Sequence, residues 1–284
     1  MGTLINGKQI AAEINKKTAQ EIKKMIKTGY KPKLAVVYVG NDKPSATYIR
    51  KKQEAAEQVG IDFVLYQFPQ SISKKELVEK IKNIQKDKKL SGLIVQLPLP
   101  EKLYTTDVLN AIDPELDVDC LTDANVGKLV MGTNWIAPPT PAAVMEVLKN
   151  IKTDLKGKTV TIVGTGALVG KPLAIMMMNA GATVTTCNRQ TKDTKARCLT
   201  ADIIVTAVGK KDLLRGNMVK KGAVVIDTGI VFENGKMYGD ANRLEVVKKA
   251  SYLTPTPGGI GPITVSLLLR NAALCAKRHY ICKP

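Results

Sequence analysis

The stretch KTVTIVGTGALVG, residues 158–170, decides the fold of this chain. Residues 158–163 form an apolar, β-branched run typical of a buried strand, and Gly164, Gly166 and Gly170 follow where a helix begins. Glycines at this point permit a tight turn and bring backbone N–H groups close to a pyrophosphate at the helix N-terminus. The spacing is one residue longer than G-x-G-x-x-G. The stretch predicts a dinucleotide site, with an unliganded glycine-rich turn as the alternative.

The end of the next predicted strand indicates which dinucleotide is bound. NAD sites carry an acidic residue about 20 positions after the glycines, whereas NADP sites place a cation near the 2′-phosphate. Here the strand ends in Thr-Cys-Asn-Arg189, and no carboxylate occurs before Asp193. Arg189 therefore predicts NADP, and a solvated loop arginine is the alternative.

Strands alternate with helices on both sides of this stretch, which predicts an α/β fold with mostly parallel sheets. Proline-rich segments at 138–141 and 254–262 separate a first domain, an inserted second domain and a last helix that returns to the first. The predicted strands are 34–39, 61–68, 92–97, 158–163, 183–186, 203–207 and 223–227. The predicted helices are 10–26, one starting at Ser45 with that residue as its N-cap, 74–87, 105–112, 142–149 and 265–277.

Composition excludes several classes of protein. The chain has 284 residues, of which 44% are hydrophobic and 24% charged, as in a globular protein with a sizeable core. No apolar run approaches the roughly 18 residues of a membrane span, and the first residues, MGTLINGK, lack the apolar core of a signal peptide. Five cysteines without a CxxC pair indicate neither a disulfide framework nor a zinc ribbon. A reduced, cytoplasmic location is expected.

The charge balance favours anionic partners. Forty-three lysines and arginines against 25 acidic residues give a net charge of +18, which suits phosphorylated cofactors, polycarboxylates or nucleic acid. Aromatic residues make up only 4% of the chain and are not interleaved with the basic runs, so nucleic acid is the weaker inference. The single histidine, His279, leaves little scope for a Ser-His-Asp triad or a multi-histidine metal site, and no metal is expected.

Polar residues in the first half supply candidates for proton transfer and binding. Tyr48 and Lys52 lie one helical turn apart, and a partly desolvated lysine there would act near neutral pH; an inert surface pair is the alternative. Gln96 ends a buried strand, where open α/β sheets bind ligands, or else it caps loop backbone. Asp117 and Asp119 are two positions apart on a predicted extended segment, so both carboxylates would face the same site. Such a pair would bind either the N–H groups of a heterocycle or a metal, and the metal is the poorer choice because no histidine or further acidic residue is nearby.

Six ordered motifs resemble the bifunctional methylenetetrahydrofolate dehydrogenase/methenyltetrahydrofolate cyclohydrolase family almost end to end. Any one of them is weak evidence, but their number and order make the resemblance specific. They are Ser45-x-x-Tyr48-x-x-x-Lys52, Val95-Gln-Leu-Pro-Leu-Pro100, Asp117-Val-Asp119, Pro138-Pro-Thr-Pro141, Val163-Gly164 to Val169-Gly170-x-Pro172, and Pro257-Gly-Gly-Ile-Gly-Pro-Ile-Thr264.

The resemblance implies roles for individual residues. Lys52 would promote proton transfer in the cyclohydrolase step, Gln96 would hydrogen-bond and orient it, Tyr48 would stack on the folate, and Asp119 would anchor the pterin N–H groups. Further folate contacts are implied for Val95, Leu97, Pro257, Gly258, Gly259, Ile260 and Gly261. The dinucleotide would contact Gly164, Thr165, Gly166, Arg189 and Ile230.

The resemblance also implies the overall organisation. A catalytic, folate-binding domain would span residues 1–138 and be completed by a helix at 262–284, and a Rossmann-like NADP domain would span 139–261, with the active site in the cleft between them. NADP-dependent oxidation of 5,10-methylenetetrahydrofolate and hydrolysis of the methenyl product to 10-formyltetrahydrofolate are expected. The expected partners are tetrahydrofolate derivatives, polyglutamylated forms among them, and a second copy of the chain; neither nucleic acid nor a membrane is expected. The expected pathway is purine biosynthesis.

Two departures from the family pattern bear on these expectations. The family usually has Gly-Arg-Ser where this chain has Gly164-Thr165-Gly166, so one cation for the 2′-phosphate is absent. Arg189 would substitute for it, or the enzyme would be a cyclohydrolase with weak or NAD-linked dehydrogenase activity. Cys120 replaces a glycine at a turn where glycine's conformational freedom matters. Another two-domain NADP oxidoreductase, such as a shikimate-dehydrogenase-like enzyme, would fit the glycines but not the Tyr48/Lys52/Gln96 set.

Overall fold

The computed structural model describes the backbone of residues 1–281 and the side chains of residues 1–42 and 45–278. Within these residues the strands are β1 (Thr3–Leu4), β2 (Lys33–Val39), β3 (Asp62–Phe68), β4 (Leu90–Val95), β5 (Thr159–Val163), β6 (Thr183–Cys187), β7 (Ile203–Thr206), β8 (Val224–Asp227), β9 (Val231–Glu233), β10 (Lys236–Tyr238) and β11 (Tyr252–Leu253). The helices are α1 (Gly7–Lys27), α2 (Lys43–Val59), α3 (Lys74–Ile84), α4 (Thr106–Leu109), α5 (Asp123–Met131), α6 (Pro139–Asn150), α7 (Gly170–Asn179), α8 (Thr194–Thr200), α9 (Arg243–Val246) and α10 (Ile260–Ile281). The expected α/β class is confirmed.

The chain divides into two compact units. The six-strand unit comprises Met1–Ala12 and Pro138–Thr264, and the three-strand unit comprises Glu13–Ala137 and the described residues from Val265 onward. The first twelve residues therefore group with the inserted segment, whereas the sequence assigned them to the first domain. The assignment of folate binding to residues 1–138 and 262–284, and of NADP binding to residues 139–261, stays a prediction. Residues 282–284 of the expected last helix and the side chain of His279 lie outside the described residues.

The three-strand unit is built on a parallel sheet in the order β3-β2-β4. Alternate side chains of β2 enter different cores, since Leu34, Val36 and Tyr38 pack in one apolar cluster and Ala35 and Val37 in another. Parallel strands covered on both faces are apolar throughout, which explains why a continuous apolar run in the sequence predicts this strand.

The six-strand unit is built on a parallel sheet in the order β1-β11-β8-β7-β5-β6. The carboxyl ends of β5, β7 and β8 lie side by side, because Val163 is in register with Thr206, and Thr206 with Asp227. An antiparallel hairpin, β9-β10, follows β8. In parallel sheets of this kind ligands bind beyond the carboxyl ends of the strands.

Several predicted boundaries differ from the structure for local reasons. Ser45 is not the N-cap of α2: Asp42 is, and its Oδ2 accepts from the Ser45 backbone N–H at 2.9 Å. The predicted helix 105–112 is a single turn, α4, followed by turns. Helix α10 begins at Ile260 rather than at Val265. Among the described residues, no helix is long and apolar enough to cross a bilayer.

Candidate functional site

Lys52 and Gln96 meet in the three-strand unit. Lys52 lies in the middle of α2, and Gln96 directly follows β4, where its backbone N–H still donates to the Val37 carbonyl at 2.8 Å. The Lys52 Nζ donates to Gln96 Oε1 at 3.0 Å. Gln96 Nε2 donates to the Leu97 carbonyl at 2.6 Å, which leaves Oε1 to face the amine. The amide is 8% exposed and therefore holds the lysine from a fixed position.

Electrostatics favours the neutral form of the Lys52 amine. Burial lowers the pKa of Lys52, and the charge of Asp119 opposes that shift. Burial likewise raises the pKa of Asp119, with Lys52 acting against the shift and Asp117 adding to it. A lysine amine with a lowered pKa loses its proton more readily than an ordinary lysine, which suits it to accept and return a proton during a reaction.

Tyr48 lies one turn before Lys52 on the same face of α2. Its ring is half-buried, and its hydroxyl is buried without a hydrogen-bond partner among the described residues. Burial raises the pKa of Tyr48, so the hydroxyl stays protonated. A buried hydroxyl without a partner indicates a position where a ligand supplies the missing hydrogen bond.

Asp117 does not face a site together with Asp119, as the alternation predicted. The segment is a turn rather than a strand: the Cys120 N–H donates to the Asp117 carbonyl, and Cys120 has a φ of 57°. The fully buried Asp117 carboxylate accepts from the Thr122 N–H and Oγ1, both at 2.8 Å, and from Asn125 Nδ2 at 3.0 Å. Asp117 thus stabilises the start of α5, and Asp119 is the carboxylate left for a ligand.

Val95 and Leu97 flank Gln96 but pack inward. Val95 is 1% exposed within the apolar cluster of β4, and Leu97 packs against the same cluster. Their side chains hold the end of the strand in place, so any contact of Val95 with a ligand is through its backbone.

The glycine-rich turn lies in the six-strand unit, between β5 and α7. A Cβ on Gly164 would lie 2.3 Å from the Ala207 carbonyl oxygen, and one on Gly170 would lie 1.9 Å from the Gly164 oxygen. A Cβ on Gly166 would meet nothing within 4 Å, and this residue is exposed beside the partly exposed Thr165. Gly164 and Gly170 therefore permit close packing, while Gly166 leaves an open surface in the turn that leads into α7, and such a surface before a helix suits a phosphate.

Arg189 projects from the turn after β6. The Thr191 N–H donates to the Asn188 carbonyl, which closes the turn, and Arg189 is exposed without a hydrogen bond or ion pair within the described part of the chain. The turn starts beside the glycines, because the Gly164 N–H donates to the Cys187 carbonyl at 2.8 Å. The next carboxylate along the chain, Asp193, is the N-cap of α8. Arg189 is therefore an exposed cation on the turn that begins beside the glycine-rich segment.

Two further loops of the six-strand unit carry predicted residues. Ile230 is 40% exposed in the turn after β8. The segment 257–261 runs from the loop after β11 into the first turn of α10, and its Gly258 carbonyl accepts from the Gly7 N–H at 3.0 Å. Ile260 is buried, while Gly261 has open space around it. The loop at 257–261 is therefore anchored through Gly258, with Gly261 next to free volume.

Sequence reasoning missed Asp227 and Asp240, two buried carboxylates in the six-strand unit. Burial raises the pKa of Asp227 to about 6, against the opposing effect of backbone N–H groups that donate to it. The pair Gly-Asp240 after a short strand was the available signal, but a single acidic residue in a loop normally indicates solvent exposure. In the described chain no cluster of three histidine, cysteine or acidic residues forms a metal site.

Two family models match the chain. The catalytic domain of tetrahydrofolate dehydrogenase/cyclohydrolase matches residues 5–119, and the NAD(P)-binding domain of the same family matches residues 138–280. The bifunctional protein FolD of Nautilia profundicola is 44% identical over 276 residues, which cover 97% of each chain.

Solved structures agree with these matches. The bifunctional FolD methylenetetrahydrofolate dehydrogenase/cyclohydrolase of Campylobacter jejuni has a TM-score of 0.95 at 40% identity, covering 98% of this chain and 99% of that one. The Trypanosoma brucei methylenetetrahydrofolate dehydrogenase-cyclohydrolase, solved with NADP and an inhibitor, has a TM-score of 0.94 at 34% identity and covers 98% of each chain.

Proposed function

The chain belongs to the tetrahydrofolate dehydrogenase/cyclohydrolase family, and we propose that the residues described above carry out both reactions of that family. It oxidises 5,10-methylenetetrahydrofolate with NADP and hydrolyses the 5,10-methenyl product to 10-formyltetrahydrofolate. The resemblance read from the six sequence motifs is thereby confirmed. Matches to both domains leave no support for the shikimate-dehydrogenase-like alternative.

Hydrolysis is assigned to the three-strand unit. Water adds to the methenyl carbon, and the Lys52 amine accepts the proton that the water loses. The bond from that carbon to N5 then breaks as Lys52 returns its proton to N5, and the hydroxyl of the adduct loses its own proton to solvent, which leaves the formyl group on N10. Gln96 holds the amine in place, Asp119 accepts from the N–H groups of the pterin, and Tyr48 packs its ring on the folate and offers its hydroxyl. The hydrogen bond from Lys52 Nζ to Gln96 Oε1 is the observation that carries this assignment.

Oxidation is assigned to residues that bind and orient. NADP supplies the hydride acceptor when bound, and the six-strand unit fits it, because Gly166 leaves open space in the turn before α7 and Arg189 is an exposed cation without an ion pair in the described part of the chain. Thr165 and Gly166 would hold the pyrophosphate, Arg189 the 2′-phosphate and Ile230 the nicotinamide end. Pro257–Gly261 would border the folate. No acid or base is required, so the rate of this step depends on proximity and orientation.

The test of both assignments is a single assay. Purified protein is given 5,10-methylenetetrahydrofolate with NADP or NAD, and the absorbance of the methenyl product is followed as it forms and decays. Formation with NADP, followed by decay faster than the spontaneous rate, is expected. Formation with NAD alone would contradict the role of Arg189, and decay at the spontaneous rate would contradict the role of Lys52.

The chain is also proposed to act as a cytoplasmic homodimer in purine biosynthesis, to which 10-formyltetrahydrofolate donates formyl groups. Apolar side chains of the six-strand unit support a dimer, since Phe232 is 51% and Leu244 77% exposed. The free thiols Cys120, Cys187, Cys198 and Cys275 are consistent with a reducing compartment. The net charge of +18 suits polyglutamylated folates as substrates, and neither nucleic acid nor a membrane is proposed as a partner. Light scattering on the purified protein tests the dimer.

A further inference from the structure

We propose that Asp240 is a positioning residue for dinucleotide binding, which it serves by fixing the loop 207–210 after β7. This inference rests on the proposed dehydrogenase function. Asp240 and its neighbour Asp227, here called the carboxylate pair, are respectively 0% and 3% exposed, and nothing in the proposed chemistry uses either of them directly.

The Asp240 carboxylate accepts hydrogen bonds from the backbone of the loop 207–210. Its Oδ2 accepts from the Val208 N–H at 2.8 Å, and its Oδ1 accepts from the Lys210 N–H at 2.7 Å. Hydrogen bonds from backbone N–H groups to a buried carboxylate are charge-assisted and about twice as strong as neutral ones. Two of the four backbone N–H groups of the loop 207–210 are therefore held by this one side chain.

Asp227 holds Asp240 in place and shapes a second loop. Its Oδ1 accepts from the N–H groups of Gly229 at 2.9 Å and Asp240 at 3.1 Å, and from Thr206 Oγ1 at 3.0 Å. Its Oδ2 accepts from the Ala241 N–H at 2.8 Å. The carboxylate pair thus joins the carboxyl ends of β7 and β8 to the segment that carries Asp240.

Two glycines make room for the carboxylate pair. A Cβ on Gly229 would lie 2.1 Å from Asp240 Oδ1, and a Cβ on Gly239 would lie 2.0 Å from Asp227 Oδ2. Side chains at either position would displace a carboxylate. The motifs Asp-Thr-Gly229 and Gly239-Asp240 therefore pack together, each glycine leaving room for the carboxylate of the other motif, although nine residues separate them.

The loop 207–210 lies between the two ends of the proposed dinucleotide site. On one side the Ala207 carbonyl oxygen packs against Gly164, at 2.3 Å from where a Cβ would be. On the other side Gly209 faces the Ile230 carbonyl, which would be 3.5 Å from a Cβ. A change in this loop would disturb both the glycine-rich turn and the nicotinamide end.

The hydrogen bonds also set the polarity of the loop. Because the N–H groups of Val208 and Lys210 donate to Asp240, they are not available to phosphates. The carbonyls of Val208 and Gly209 accept no hydrogen bond from the described residues. The loop is therefore suited to accept hydrogen bonds from hydroxyl or amide donors, such as those on the ribose and carboxamide of a nicotinamide nucleotide.

The variant Asp240→Asn tests the proposal, because its amide keeps one acceptor oxygen but turns N–H groups toward the loop donors. Asp202→Asn is the matched control: Asp202 accepts from the Thr159 N–H at 3.1 Å and from Lys220, but at the amino ends of the strands. We measure NADPH affinity by fluorescence titration, KM for NADP and NAD, cyclohydrolase activity and Tm.

For Asp240→Asn we expect NADPH affinity to weaken about tenfold and KM to rise about equally for NADP and NAD, with cyclohydrolase activity within twofold of the unchanged protein. Asp202→Asn should leave dinucleotide affinity unaltered. NADPH affinity equal in the two variants would overturn the proposal, and so would a parallel loss of both activities, which would mean a merely structural role.

A second variant, Gly209→Ala, tests the proposal if Asp240→Asn does not fold. Gly209 has a φ of 76°, where an alanine is strained, yet its Cβ would meet nothing closer than 3.5 Å. Gly209→Ala should also weaken NADPH binding and spare cyclohydrolase activity, and unchanged binding would contradict the proposal. Failure of the unchanged protein to bind NADPH would instead overturn the proposed function, and this inference with it.

Discussion

The amide of Gln96 and the amine of Lys52 form one unit, in which Oε1 accepts from Nζ at 3.0 Å and Nε2 is held by the Leu97 carbonyl. The amine can therefore turn toward a substrate without losing its acceptor. Burial lowers its pKa while it stays in that position.

Replacing Lys52 by methionine should abolish cyclohydrolase activity, by at least 100-fold, and leave hydride transfer partly intact. The substitution keeps the apolar stem and removes the amine that moves the proton. Decay of added methenyltetrahydrofolate measures the first activity, and NADPH formation measures the second. Lys17→Met, at an exposed position of α1, is the control. Normal hydrolysis by the Lys52 variant would refute the assigned role.

Replacing Gln96 by glutamate should move the pH dependence of hydrolysis upward by about one unit. A carboxylate beside the ammonium stabilises its charged form and so raises the pKa of Lys52, which must lose a proton to act as a base. The measurement is cyclohydrolase rate against pH for both proteins. A Gln96→Met control, which adds no charge, should lose activity without the upward shift. An unmoved profile in the glutamate variant would mean that Lys52 does not act as the base.

Replacing Arg189 by alanine should raise KM for NADP about tenfold more than KM for NAD, because only NADP carries the 2′-phosphate that pairs with the guanidinium. Lys195→Ala, which removes an exposed cation from α8, is the control for a general change of charge. Steady-state rates with both cofactors give the comparison. Equal effects on the two KM values would show that another group binds the 2′-phosphate.

Asp227 should make the protein less stable as pH rises from about 4 to about 6. Its folded-state pKa of about 6 lies above the unfolded value of 3.8, so the native state holds the proton through that window and the unfolded state does not. The expected loss of unfolding free energy, relative to Asp227→Asn, is about 3 kcal/mol. Denaturant titrations of both proteins between pH 4 and pH 7 check it. Curves that stay parallel would contradict the raised pKa.

Much of the fold follows from apolar periodicity, because the central strands are covered on both faces and contain few polar interruptions. Strands β1 and β11 escaped prediction because each has two residues, too few to show a period. The N-cap of α2 was assigned to Ser45 because hydroxyl residues favour that position. Asp42, three residues earlier, caps the helix instead.

The candidate site likewise has features that the sequence predicts and features that it does not. The contact between Lys52 and Gln96 follows from the family resemblance and is present in the structure, while the roles of both residues stay predictions. The prediction that Asp117 faces the same site as Asp119 is wrong because it assumes an extended chain, whereas the chain turns at Cys120. Asp240 was missed because its partners, Val208 and Lys210, lie about 30 positions away and are backbone groups, which leave no trace in the sequence.

Neither unit is a continuous piece of the chain, and this constrains how the protein can be made and recombined. The six-strand unit needs the first twelve residues and a segment that ends at Thr264, and the three-strand unit needs residues that follow Thr264. A growing polypeptide therefore has to retain a three-strand unit with an incomplete core until α10, whose Leu268 and Leu269 pack in that core, has emerged from the ribosome. For the same reason, a single crossover between two related genes cannot exchange one unit and leave the other intact, since every crossover position splits at least one of them.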